Sequence, residues 1–172
     1  LANLPAAEAP PTPAEIASAP SITIETSHYI ATFTQLGGRL LSFQLKSHLA
    51  RLGDKTLLDL VTSSPQGILP LGVYSGPRSD LRTRYEVSKI DPALPMNAVV
   101  SGNDPAGHEA PQSSRVVLAP GQSVSLTLQG ALNDGSAIAK TIKVSDASYL
   151  FNIDVALATP PLDGTPLWLE WT

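Results

Sequence analysis

Apolar and polar residues alternate with a period of two along most of this chain, and the alternation sets in at residue 22. Within residues 22–46, ITIETSHYIATFTQLGGRLLSFQLK, the residues Tyr29, Ala31 and Phe33 alternate with Ile30, Thr32 and Thr34 ahead of a Gly-Gly pair. Beyond the pair, Leu41, Phe43 and Leu45 alternate with Ser42 and Gln44. Such alternation on both sides of two glycines predicts a β-hairpin with one buried face, turning at Leu36-Gly37-Gly38-Arg39. The second half repeats the pattern. Val124, Leu126 and Leu128 alternate with Ser123, Ser125, Thr127 and Gln129; Ile138, Ile142 and Val144 share one face; Tyr149, Phe151, Ile153, Val155 and Leu157 alternate against Asn152 and Asp154. Turn chemistry at Asn133-Asp134-Gly135-Ser136 and at Asp146-Ala147-Ser148 joins these runs as consecutive hairpins.

Shorter strands are predicted at 57–61, 71–75, 85–87, 98–100 and 115–118, separated by loops at 47–55, 63–70, 76–83 and 101–113. A last strand over 167–171 holds both tryptophans, Trp168 and Trp171, and an unpaired edge there would invite pairing with another chain. No run has the length and 3.6-residue period of an amphipathic helix. The prediction is an all-β, antiparallel β-sandwich over residues 22–172, incomplete at its C-terminal end. Residues 1–21 differ in kind. Five of the 16 prolines fall there among many alanines, which predicts a flexible, extended tether with at most one helical turn at 15–18, stopped by Pro20.

Composition narrows the function classes. A hydrophobic fraction of 42% over 172 residues suffices for a core of ordinary domain size. The net charge of −4 is spread thinly, without the clustered lysine and arginine that nucleic-acid binding needs. The chain has no cysteine, so disulfides, thiolate metal sites and thiol catalysis are excluded. No apolar run approaches the roughly 18 to 20 residues of a membrane-spanning helix.

Candidate chemistry is sparse. Gly37-Gly38 opens no helix, so it reads as a hairpin turn rather than a phosphate cradle. His28, His48 and His108 lie far apart at no ligand spacing. The loop from Asn103 through Asp104 and His108 to Glu109 offers oxygen and nitrogen ligands, but in an order matching no calcium or zinc loop. No Gly-x-Ser-x-Gly elbow is present, and a pair of converging carboxylates is not legible from sequence. Arg78, Arg82 and Arg84 form the densest basic cluster, read as a solvated loop or, less simply, as a contact for anionic headgroups or an acidic partner. No catalytic, cofactor-binding or metal-ligating residue is assigned, and no cofactor is expected.

The order of the motifs is similar to that of a known family. Ile24-Glu25-Thr26, Tyr29, Phe33, Gly37-Gly38-Arg39-Leu40 and Ser42-Phe43-Leu45 resemble the opening of the large periplasmic domain of the YidC membrane-protein insertases. The segments 57–61, Pro70-Leu71-Gly72-Val73, and Lys140-Thr141-Ile142 leading through Asp146 to Tyr149, Phe151, Ile153 and Val155 resemble its later strands. The likeness spans residues 22–157, with no family pattern over 76–113. It implies a β-supersandwich of the galactose mutarotase-like kind, without the mutarotases' catalytic histidine and acid. It further implies a non-enzymatic periplasmic domain tethered to the bacterial inner membrane by segments outside this chain, with partners among the Sec accessory subunits (SecD and SecF) and nascent membrane proteins. Two alternatives stand beside it. One is a carbohydrate-binding or mutarotase-like module, for which Trp168 or Trp171 would serve as a stacking platform. The other is a structural sandwich of an adhesin or secretion complex, exchanging strands through its C-terminal edge.

Overall fold

A computed structural model describes residues 8–61, 69–94, 97–99, 113–161 and 165–171. The candidate loop at 103–109, with His108, lies outside the described residues, as does most of the loop at 63–70. One short helix, α1 (Pro13–Ser18), precedes thirteen strands: β1 (Ser21–Glu25), β2 (Tyr29–Thr34), β3 (Arg39–Leu49), β4 (Leu57–Asp59), β5 (Val73–Ser75), β6 (Arg78–Ser79) and β7 (Glu86–Asp91), then β8 (Asn97–Val99), β9 (Ser113–Val117), β10 (Ser123–Ala131), β11 (Ala137–Ser145), β12 (Phe151–Leu157) and β13 (Trp168–Leu169). They form a six-stranded sheet in the order β4-β3-β2-β1-β9-β8, a four-stranded sheet β12-β11-β10-β7 and a small sheet β13-β5-β6. The fold is the all-β sandwich that the alternation predicts.

The predicted faces build the core. Tyr29, Ala31 and Phe33 from β2 and Ile22 and Ile24 from β1 are buried against Val124, Leu126, Leu128, Ile142 and Val144 of the four-stranded sheet. Aromatic contacts link the two large sheets, with Phe33 edge-on to Phe151 at 6.1 Å and Phe43 tilted against it at 5.8 Å. The hairpin turns where predicted, with Thr34 opposite Arg39, and the Gly37 N–H donates to the Thr83 carbonyl at 2.7 Å.

Four features depart from the expected pattern. Thr32 pairs with Ser42 and Phe33 with Leu40, so Leu41 is the extra residue of a bulge. The bulge turns Leu40 rather than Leu41 into the core. The strands are also not uniformly antiparallel, since β9 runs parallel to β1 with Ser21 opposite Ser113. That pairing joins segments 92 residues apart. A long crossover carries no local turn signal from which strand direction could be read. The loop expected at 76–83 contains β6, and β3 extends to Leu49 into the connection expected after it.

Charges are buried where the three sheets meet. Lys140 stands between Ile138 and Ile142 on the inward face of β11 and is 1% exposed. Its Nζ donates to the carbonyls of Leu71 at 2.6 Å, Gly37 at 2.8 Å and Gly38 at 3.3 Å, and lies 2.5 Å from Asp80 Oδ2. Asp80, fully buried, also accepts from the Tyr85 hydroxyl and the Val73 N–H, both at 2.9 Å. Arg39 lies alongside. Its guanidinium donates to the Leu69 carbonyl at 2.6 Å, the Tyr74 hydroxyl at 2.8 Å and Glu170 Oε2 at 3.1 Å, and stands 4.0 Å from Asp80. Burial drives the Lys140 ammonium below its ordinary pKa, with the Asp80 charge opposing, and the Tyr85 hydroxyl is pushed up by burial and by Asp80.

The backbone around the cluster is shaped to fit it. Leu71 is the one non-glycine described at positive φ (76°), and its carbonyl reaches Lys140 while its N–H donates to the Glu170 carbonyl at 2.7 Å. That conformation is uncommon for a residue with a side chain and carries strain of about 1–3 kcal/mol. Gly72 lies directly against the Arg39 guanidinium, and a Cβ there would overlap it. Gly72→Ala is therefore expected to lower stability by about 1–3 kcal/mol, the range for overpacking a filled interior. Urea unfolding of the two proteins checks this, and an unchanged midpoint would show that Arg39 is free to move aside.

Candidate functional site: a groove at one side of the sandwich

A groove of about 450 Å³ opens between the end of β4 and the start of β12. Its floor is core, formed by Leu40, Phe43 and Leu71. Leu60 and Val61 line one wall and Tyr149, Leu150, Phe151 and Ile153 the other, while Pro70, Leu169 and Trp171 close an end. None of its lining residues is charged, and the side chains among them that can hydrogen-bond are Tyr149, Asn152 and the indole N–H of Trp171. Trp171 is 67% exposed and Leu150 79%, so the rim presents large apolar surface to water.

The buried charges hold this groove in shape. Leu71 and Gly72 exchange backbone hydrogen bonds with Glu170 at 2.7 and 2.8 Å, and the Glu170 carboxylate is bound by Arg39 and by the Tyr74 hydroxyl, each at 3.1 Å. The chain end carrying Trp171 is thereby fixed over the floor. On the opposite wall the Asp59 carboxylate accepts from Ser42 Oγ at 2.5 Å, the Phe43 N–H at 2.9 Å and the Val61 N–H at 3.0 Å, which sets the bend after β4. Tyr149 rests against His28, with ring centroids 4.7 Å apart. Nearby, Asp146 accepts from the Ser27 N–H at 2.5 Å, from Ser27 Oγ at 2.7 Å and from the Gly121 N–H at 3.1 Å, tying two turns together. Those donors, the Ser27 backbone first, hold its carboxyl below the usual carboxylate range.

The residues singled out by sequence fall apart in space. His28 packs on Tyr149 and His48 is exposed near the end of β3. Among the described residues no three His, Asp or Glu side chains gather as metal ligands. Asp80 and Glu170 stand on either side of Arg39, with Asp80 held by Lys140, Tyr85 and the Val73 N–H and Glu170 held by Arg39 and Tyr74. Trp168 sits on β13 opposite Tyr74, and Trp171 is the tryptophan that lines the groove. In the basic cluster Arg82 and Arg84 are exposed and Arg78 is half-buried, and two of the three have acidic partners. Arg78 pairs with Asp134 at 2.7 Å and donates to the Pro160 carbonyl, while Arg82 pairs with Glu15 at 2.8 Å and donates to the Ala9 carbonyl at 2.9 Å. Arg84 remains exposed.

These contacts dock part of the predicted tether. Thr12 and Glu15 form a capping box that starts α1 at Pro13, and Glu8 accepts from Ser79 Oγ at 3.1 Å. No described helix is long and apolar enough to cross a membrane. Compared with known proteins, the chain matches no protein-family model and no curated protein.

The Arg82–Glu15 pair gives a direct test of the docked segment. Hydrogen bonds from Arg82, then Thr12, hold the Glu15 carboxyl at about 2 rather than its ordinary 4.5. A depressed carboxyl pKa stabilises the docked state fully above about pH 4.5, and that contribution is lost as pH falls through about 2. In Arg82→Ala the Glu15 midpoint, followed by NMR, is expected to move up toward 4.5, with faster proteolysis within residues 8–18 at pH 7. A midpoint that stays put would show that Arg82 does not clamp Glu15.

Proposed function

We propose that this chain is a non-catalytic periplasmic domain of a bacterial inner-membrane protein insertase, accessory to membrane-protein insertion, with a galactose mutarotase-like sandwich. In this role it docks Sec accessory subunits (SecD and SecF) or emerging segments of membrane proteins. The observation that carries the reading is the convergence of the motifs behind the family resemblance. Gly37-Gly38-Arg39, Leu71-Gly72 and Lys140 are separated by up to 103 residues, yet Lys140 Nζ bonds carbonyls of the first two motifs and Gly72 packs on Arg39. Three short likenesses that would each be weak alone thus form one interaction unit. A fold-level likeness does not by itself specify a role. The role draws further support from the groove, whose uncharged, aromatic-rimmed surface suits an apolar polypeptide.

A carbohydrate-binding module is the competing reading, favoured by the exposed ring of Trp171 over a concavity. A sugar, however, presents hydroxyls around its ring, and this lining sets three side chains able to hydrogen-bond, Tyr149, Asn152 and Trp171, among apolar ones and offers no charged group. Photo-crosslinking from positions 150 and 171 of the parent protein, in isolated inner membranes, separates the two. The insertase reading expects adducts with Sec subunits or nascent membrane proteins. A parent recovered as a soluble secreted chain, with sugar binding lost in Trp171→Ala, would replace it with the carbohydrate reading.

A further inference from the structure

We infer that the outer edge of β12 is a strand-addition site for an extended polypeptide segment with apolar residues at alternate positions. The argument starts from hydrogen-bond phase. β11 and β12 are antiparallel, with Ala139 opposite Ala156 and Ile142 opposite Ile153, and just past the ladder the Ala158 N–H donates to the Ala137 carbonyl at 2.9 Å. Bonded and non-bonded pairs alternate in such a ladder. Asn152, Asp154 and Ala156 therefore spend their backbone groups on β11. Phe151, Ile153, Val155 and Leu157 point theirs outward, and among the described residues no strand pairs with that edge.

The same four residues pack against the core yet remain partly exposed. Phe151 and Ile153 line the groove. One added strand would satisfy the four outward backbone units and cover their side chains at once, which is how strand addition combines affinity with selectivity. Other edges are less suited. β7 exposes the charged residues Glu86, Lys89 and Asp91, a common guard against edge pairing, and β4 has three residues in irregular register with β3. β12 carries one charge, Asp154, which is paired with Lys143 at 2.6 Å.

The occupant is a separate apolar segment rather than a second copy. Two-fold pairing of β12 centred on residue 154 would set Asp154 opposite its own mate, and like charges directly opposite are destabilising. An edge of seven residues is also only about 24 Å long. Contact along it falls well short of the ~800 Å² per partner of a stable interface. A single strand with an uncharged residue opposite Asp154 avoids that repulsion, and the groove beside Phe151 and Ile153 adds contact beyond the edge itself. This inference rests on the geometry of β12 and stands apart from the insertase reading.

The probe is a capped heptapeptide of alternating threonine and valine, titrated against the 172-residue chain by the fluorescence of Trp171 and by NMR of β12 amides. Added antiparallel to β12, its valines face the groove and point their N–H groups at β12, whereas its threonines point theirs away. N-methylation of the valines is expected to weaken binding by about tenfold or more, and N-methylation of the threonines to leave it nearly unchanged. Val155→Pro removes an outward N–H that β11 does not use, so the sheet is retained and binding is lost. Should that variant fail to fold, the two methylated peptides decide the matter on the unaltered protein. Equal binding of both, or none at millimolar peptide, overturns the proposal. A concentration-dependent dimer of the unaltered chain that Val155→Pro abolishes would overturn the choice of occupant in favour of a second copy.

Discussion

The ion pair between Lys140 and Asp80 is the interaction on which the other parts of this sandwich depend. Neither charge reaches water, and desolvation of each costs several kcal/mol before any partner is counted. The cost is offset because every donor of the ammonium and both carboxylate oxygens have partners, drawn from the hairpin turn, from the segment leading from Leu71 into β5 at Val73 and from Tyr85. A bonding set so specific ties β11 of one large sheet to the β2–β3 turn of the other and to the small third sheet. Apolar packing alone would hold the layers together less selectively.

Arg39 extends the same logic toward the surface. Its guanidinium links the buried pair to Tyr74 and Glu170, and Glu170 in turn fixes the segment that carries Trp171. The groove thus inherits its rigidity at one end from a cluster that lies beneath it. Its open side has a different origin. β4 is short and bulged against β3, while among the described residues β12 leaves backbone groups and a half-covered apolar row unpaired, so the two large sheets are not closed over each other there.

Much of this was legible in the sequence because burial in a sheet obeys a period of two. Tyr29, Ala31 and Phe33, and later Val124, Leu126 and Leu128, are buried in the predicted phase. Lys140 is a different case. It stands in phase between Ile138 and Ile142, but lysine is ordinarily exposed, and its partner Asp80 lies in a distant loop that no periodicity links to β11. Other features had no local signal. The bulge that swaps Leu41 for Leu40 depends on register across the hairpin, and the parallel pairing of β1 with β9 on a long crossover. The groove gathers residues near 60, 150 and 170, and Arg82 meets Glu15 across 67 residues. Only the folded chain brings these together.

The most direct measurement is a double-mutant cycle on the central pair, read by urea unfolding of Lys140→Met, Asp80→Asn and the combined variant. Each single change leaves a buried polar partner unmatched and is expected to cost about 3–5 kcal/mol, a large share of the stability of a domain this size. The combined variant should lose less than the sum of the two by about 1–3 kcal/mol, since neither charge is then left alone. Losses that add to within about 0.5 kcal/mol would contradict the account, because they would mean that Lys140 and Asp80 stabilise the sandwich independently of each other.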